Sequence, residues 1–198
     1  MKYANDYSGY GNEVLYRMCR EKPLHTDLDI VSSKLWLIGR SYSAAIERRV
    51  GKDFSMETAA KLLINSNIDE LIRKIISIER PTESNIHEIL NAHRCFVDII
   101  AKETIIEKRS LASKYLHFHS PKSVFLYDSR AKNRIREILR PIKRRFIILH
   151  QFDKEYTAFS YRCIYYRDNI LEKKLGELVS PRRLDMELLG YSEGTEFI

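Results

Sequence analysis

Lys114 and Asp128 are the two residues of this 198-residue chain whose types and spacing most invite chemistry. A lysine amine is a nucleophile once it has lost its proton, and burial or nearby positive charge lowers the pH at which it does so. A carboxylate held close by can stabilise positive charge that develops on the carbon under attack. Lys114 lies among Leu111, Ala112, Leu116 and Phe118 on a short amphipathic segment, and Asp128 stands at the head of the next. From Ser129 to Arg145 there follow eight basic residues, Arg130, Lys132, Arg134, Arg136, Arg140, Lys143, Arg144 and Arg145, against one acidic residue, Glu137. Positive charge clustered in this way is the footprint of a phosphate-binding face. The chain's net charge is +7, so the remainder is nearly balanced. Each feature also has a plainer use. Lys114 would snorkel from a half-buried helix, Asp128 would cap one, and the basic run would be a solvated face.

The elements that must position these residues read as helices. Asn12 to Cys19 is a short helix ending before Pro23. Thr26 or Asp27 caps a long one to about Arg49, expected to be central, with Ile30, Val31, Leu35, Ile38, Tyr42, Ala45 and Ile46 inward. Ser55 opens a helix to about Ile64, Ile68 to Ile78 forms the next, and Thr82 or Ser84 opens a long one through Lys108. Ser110 to Phe118 is short, Ser123 to Tyr127 is extended or a tight loop, and Asp128 starts a helix to about Arg140. Arg145 to Leu149 is a strand or a buried helix start, Asp153 to Leu175 is helical, and Ser180-Pro181 caps a last helix closed by Gly190. Pro and Gly act only as punctuation, and the apolar residues recur at helical spacing. The expectation is an all-α compact bundle of about nine or ten helices. It is taken as one unit over residues 1–198, with a lobe division near Pro81 as the variant.

Composition limits the setting. An apolar fraction of 44% suits a globular domain. No stretch reaches the roughly 18 consecutive apolar residues of a membrane span, and MKYANDYSGYG has no apolar leader, so neither a membrane nor a secretory signal is expected. Cys19, Cys95 and Cys163 are widely spaced with no CxxC pair, which points to reduced thiols in a cytoplasmic protein rather than disulfides or a cysteine-built zinc site. His117 and His119 flank Phe118 without a carboxylate cluster, so no metal is expected there.

The run Ser113-Lys114-Tyr115-Leu116 through Leu126-Tyr127-Asp128 resembles the lysine-to-aspartate segment of helix-hairpin-helix DNA glycosylases, and looks closest to the 8-oxoguanine glycosylase-like group. The resemblance implies a glycosylase-like helical fold, with Lys114 as Schiff-base nucleophile and Asp128 as the activating carboxylate. The partner it implies is double-stranded DNA with a flipped base, and it needs no cofactor. His117 and His119 would then face that base, and the basic residues would hold the backbone. Such enzymes serve DNA repair or phage defence. Where that family carries a glycine-rich hairpin, this chain has Ile106-Glu107-Lys108-Arg109-Ser110, and its lysine-to-aspartate spacing of 14 residues is short for the family. Two other readings stand beside it. One is a non-enzymatic nucleic-acid-binding or assembly subunit. The other is a metal-independent ribonuclease, because Arg144 or Arg145 followed by His150 is similar to the loose Arg-His pattern of HEPN-type enzymes.

Overall fold

Side-chain caps decide where five of the helices begin. Asp27 accepts from the amides of Asp29 and Ile30, Ser55 from Thr58, Asp128 from Ala131, Asp153 from Tyr156 and Ser180 from Arg183. Each satisfies an amide that the first helical turn leaves without a partner. The computed structural model describes residues 10–42, 55–104, 106–142 and 151–191, and among them every regular element is helical. In order these are α1 (Tyr10–Glu21), α2 (Leu28–Ser41), α3 (Met56–Ile64), α4 (Ile68–Ile76), α5 (Ile86–Thr104), α6 (Arg109–His119), α7 (Ser129–Ile138) and α8 (Lys154–Tyr166). A π-helical turn (Arg167–Leu171), α9 (Glu172–Leu175) and α10 (Pro181–Leu189) complete the described residues. No helix among the described residues is long and apolar enough to cross a membrane.

The all-α expectation is met, and the last helix ends as its sequence indicates: Gly190 takes φ 79°, a left-handed conformation that costs glycine little. Three details differ. First, α2 stops at Ser41 instead of running to Arg49, because Tyr42 leaves helical geometry to make tertiary contacts. Its hydroxyl donates to Asn12, its ring packs on Phe118, and its carbonyl accepts from Lys114. The continuation expected through Ala45 and Ile46 lies outside the described residues, as does Arg145 to Leu149. Second, α5 begins at Ile86, since the Asn85 side chain folds back onto the Thr82 amide and the Arg80 carbonyl and holds residues 82–85 in a turn. Third, the helix expected from Asp153 to Leu175 carries a π-helical turn where Arg167 is drawn wholly inside, donating to the Pro81 carbonyl at 2.7 Å and to Asp168 at 2.7 Å.

The centre of the bundle is α6 rather than α2. Every residue from Leu111 to His119 is buried. It packs against α1, α2, α4 and α5, while α7 packs against α8 and α10. One apolar cluster runs from Leu15 in α1 to Leu188 in α10, and within it the rings of Phe96 and Tyr115 pack at a tilt, 5.0 Å between centroids.

Candidate active site

The extended segment between α6 and α7 is held by side chains instead of by a sheet. The Val124 carbonyl accepts from His117 Nδ1 at 2.8 Å, and the Phe125 carbonyl accepts from the Tyr156 hydroxyl at 3.0 Å. The Tyr127 amide donates to Ser113 Oγ at 3.0 Å. Ser113 precedes Lys114 and Tyr127 precedes Asp128, so this last bond couples the backbone beneath the lysine directly to the backbone beneath the aspartate.

Lys114 and Asp128 come together at one cleft. A hollow of about 540 Å³ is lined by both, with Tyr10 and Asn12 of α1, Tyr42, Arg130, Arg182 and Asp185. A second of about 590 Å³ shares Tyr42, Lys114, Asp128 and Arg130 and continues past Lys108, Arg109 and Ser110. Both volumes suit a small-molecule or single-nucleotide occupant. Lys114 is only 5% exposed. Its amine donates to Ser110 Oγ at 2.9 Å and to the Tyr42 carbonyl at 3.4 Å, and sits 5.4 Å from the centre of the Tyr42 ring. Burial lowers its pKa, and the nearby Asp128 and Asp185 partly oppose that. Asp128 is half-buried, with one oxygen accepting from the Ala131 amide at 2.8 Å.

The structure does not bring His117 and His119 to the cleft. Both are core residues. Since a carbonyl can only accept, the His117 Nδ1 carries the proton toward Val124, and its Nε2 accepts from the Tyr16 hydroxyl at 2.8 Å. Burial pushes its pKa down to about 4, so the ring is neutral. His119 stacks on His25 and Tyr115, at 5.3 and 5.2 Å between centroids. The burial of α6 on every face turns the histidines inward as packing and bracing groups.

The basic residues are divided. Arg130 lines both parts of the cleft. Lys132 pairs with Glu155 at 3.2 Å and Arg134 with Glu137 at 3.7 Å, the latter an exposed pair. Arg136 and Arg140 face a separate hollow of about 510 Å³ with Arg162 of α8. Lys143, Arg144, Arg145 and His150 lie outside the described residues. Among the described residues no group of three or more His, Cys, Asp or Glu side chains is placed to hold a metal.

Sequence reasoning missed Arg182 and Asp185. They form an ion pair at 2.9 Å one turn apart on α10, and both line the cleft. Their only signal was an Arg and an Asp three positions apart behind a strong Ser-Pro cap, a spacing that surface helices use freely. No family model, curated protein or solved structure matches the chain.

Proposed function

We propose that this chain is a DNA N-glycosylase with accompanying lyase chemistry, acting on a base flipped out of double-stranded DNA. The observation that carries the reading is the shared cleft, where a buried lysine amine and a carboxylate 14 residues further on line the same walls. The resemblance of the Ser113–Lys114 and Tyr127–Asp128 pairs to the glycosylase segment points the same way.

In this reading the Lys114 amine attacks the anomeric carbon. The bond to the base breaks, its electron pair leaves with the base, and the Asp128 carboxylate opposes the positive charge that builds on the sugar. Loss of a proton from nitrogen and opening of the sugar ring leave an imine, from which β-elimination nicks the strand. Arg130 stands at the cleft, where it suits a backbone phosphate, and Arg136 stands at the separate hollow with Arg140 and Arg162. Base excision of this kind serves repair of the genome or attack on modified phage DNA, in a cytoplasmic setting.

Borohydride trapping tests it. Duplexes carrying damaged or phage-type modified bases should give a covalent protein–DNA adduct, abolished by Lys114→Gln. Asp128→Asn should slow excision by about 100-fold or more. No adduct on any duplex, together with a harmless Asp128→Asn, would refute the lysine mechanism. Duplex binding without turnover would instead favour the non-enzymatic subunit, for which the hollow between Arg136, Arg140 and Arg162 is the supporting feature.

A further inference from the structure

We propose that Asp185 is the proton-transfer partner of the Lys114 amine. The proposal rests on the glycosylase–lyase reading and assigns a role within that site. Asp185 lines the same hollow as Lys114 and Asp128 and is 6% exposed. One of its oxygens accepts from Arg182 at 2.9 Å. The groups facing it are Lys114 from α6, Asp128 at the head of α7, Tyr42 at the end of α2, Cys163 of α8 and Arg182 of its own helix. Asp128 is the less suitable partner, because it is less buried than Asp185 and one of its oxygens caps α7.

A buried lysine that must attack as a neutral amine needs somewhere to leave its proton, and the receiving group works best when it exchanges protons near the working pH. Burial, aided by the neighbouring Asp128, pushes the Asp185 carboxyl up to about 7, against the opposing pull of Arg182 and Lys114. Burial pushes Lys114 down. The two groups therefore approach one another in proton affinity. In the step that follows, the Lys114 ammonium gives one proton to the Asp185 carboxylate. The neutral nitrogen bonds to the anomeric carbon as the bond to the base breaks, and the Asp185 proton then passes to the departing base or to the opening ring oxygen. One proton is moved and nothing is oxidised or reduced. Arg182 holds the carboxylate in place.

The test uses the full chain and a labelled duplex carrying an abasic site. There the sugar is an aldehyde, and the hydroxyl of the first adduct leaves as water with the Asp185 proton. The rate of borohydride-trapped adduct is measured from pH 5 to 9. Wild type should show an inflection near pH 7 that needs no variant to be seen. Asp185→Asn should lose that inflection and fall by about 100-fold, and Asp185→Glu should recover part of the rate. A purely electrostatic role predicts the reverse: removing a negative charge beside Lys114 favours its neutral form and speeds trapping at pH 6–7. A wild-type profile without the inflection, or Asp185→Asn trapping as fast as wild type or faster, overturns the proposal alone. Absence of any adduct with wild type, or an adduct that survives Lys114→Gln, overturns the glycosylase–lyase reading and this proposal with it.

Discussion

Replacing Ser113 with alanine removes one oxygen from the point where the lysine helix grips the aspartate's backbone. Ser113 is wholly buried, and its hydroxyl accepts from the Tyr127 amide at 3.0 Å while facing the Ser110 carbonyl at 3.1 Å. The amide left behind is buried, so the expected loss of stability is that of an unsatisfied buried donor, about 1–3 kcal/mol. For a chain of this size that lowers the melting temperature by roughly 2–4 °C per kcal/mol. The kinetic effect should be larger than the structural one. Tyr127 precedes the N-cap Asp128, and a displacement of about 1 Å at a reacting group costs on the order of 100-fold in rate. The measurement is a double-mutant cycle in single-turnover excision, with urea unfolding of each variant alongside. Ser113→Ala should slow the wild type strongly and add almost nothing once Asp128→Asn has removed the carboxylate. A Ser113→Ala variant that loses stability but keeps its rate, or that slows both backgrounds equally, would refute the coupling.

Other outcomes follow from the same geometry. His117 is ordinarily protonated below pH 6.5, but burial holds its folded pKa at about 4. Between those values the unfolded chain takes up a proton that the folded chain does not, so stability is full above 6.5 and is lost as pH falls toward 4. The stability advantage of wild type over His117→Gln should therefore shrink by on the order of 3 kcal/mol from pH 7 to 4, read by urea unfolding. A constant difference would contradict it. The comparison is made against the variant because Asp185, with its raised pKa, favours the folded state as pH falls through the same window. Neutralising Arg136 and Arg140 together should weaken duplex binding and flatten the slope of log affinity against log salt by about 0.9 for each phosphate no longer neutralised. An unchanged slope would remove them from the interface. Phe96→Ala, in the core against Tyr115, should cost about 3–5 kcal/mol, and a near-neutral result would mean that the core is not built around α5 and α6.

Much of the fold was legible where local chemistry decides it. Ser55, Asp128, Ser180 with Pro181, and Gly190 each mark a helix end with the side chain or backbone freedom that end requires. The end of α2 was not, because Tyr42 leaves the helix for partners far along the chain. The burial of α6 was hidden for a related reason. Its lysine, serines and histidines read as a half-exposed face, yet they find partners at long range: Tyr16 for His117, Tyr127 for Ser113, and His25 for the Tyr115 hydroxyl at 2.7 Å. A polar residue can enter a core when such a partner exists, and periodicity does not reveal partners. Lys114, Asp128 and Arg130 were legible as candidates because type and spacing flagged them, and all three line one hollow. Asp185 was not, because it enters the cleft only through the packing of α10 on α7.

The central claim is that the Lys114 nitrogen bonds to the sugar. It is tested most directly by reducing the trapped complex with borohydride, digesting it with trypsin and locating the adduct by mass spectrometry. The account predicts a modified peptide spanning Ser110 to Lys122, uncut after Lys114 because that amine carries the sugar. An adduct on Lys108 or Lys132 instead, or none at all, would contradict it.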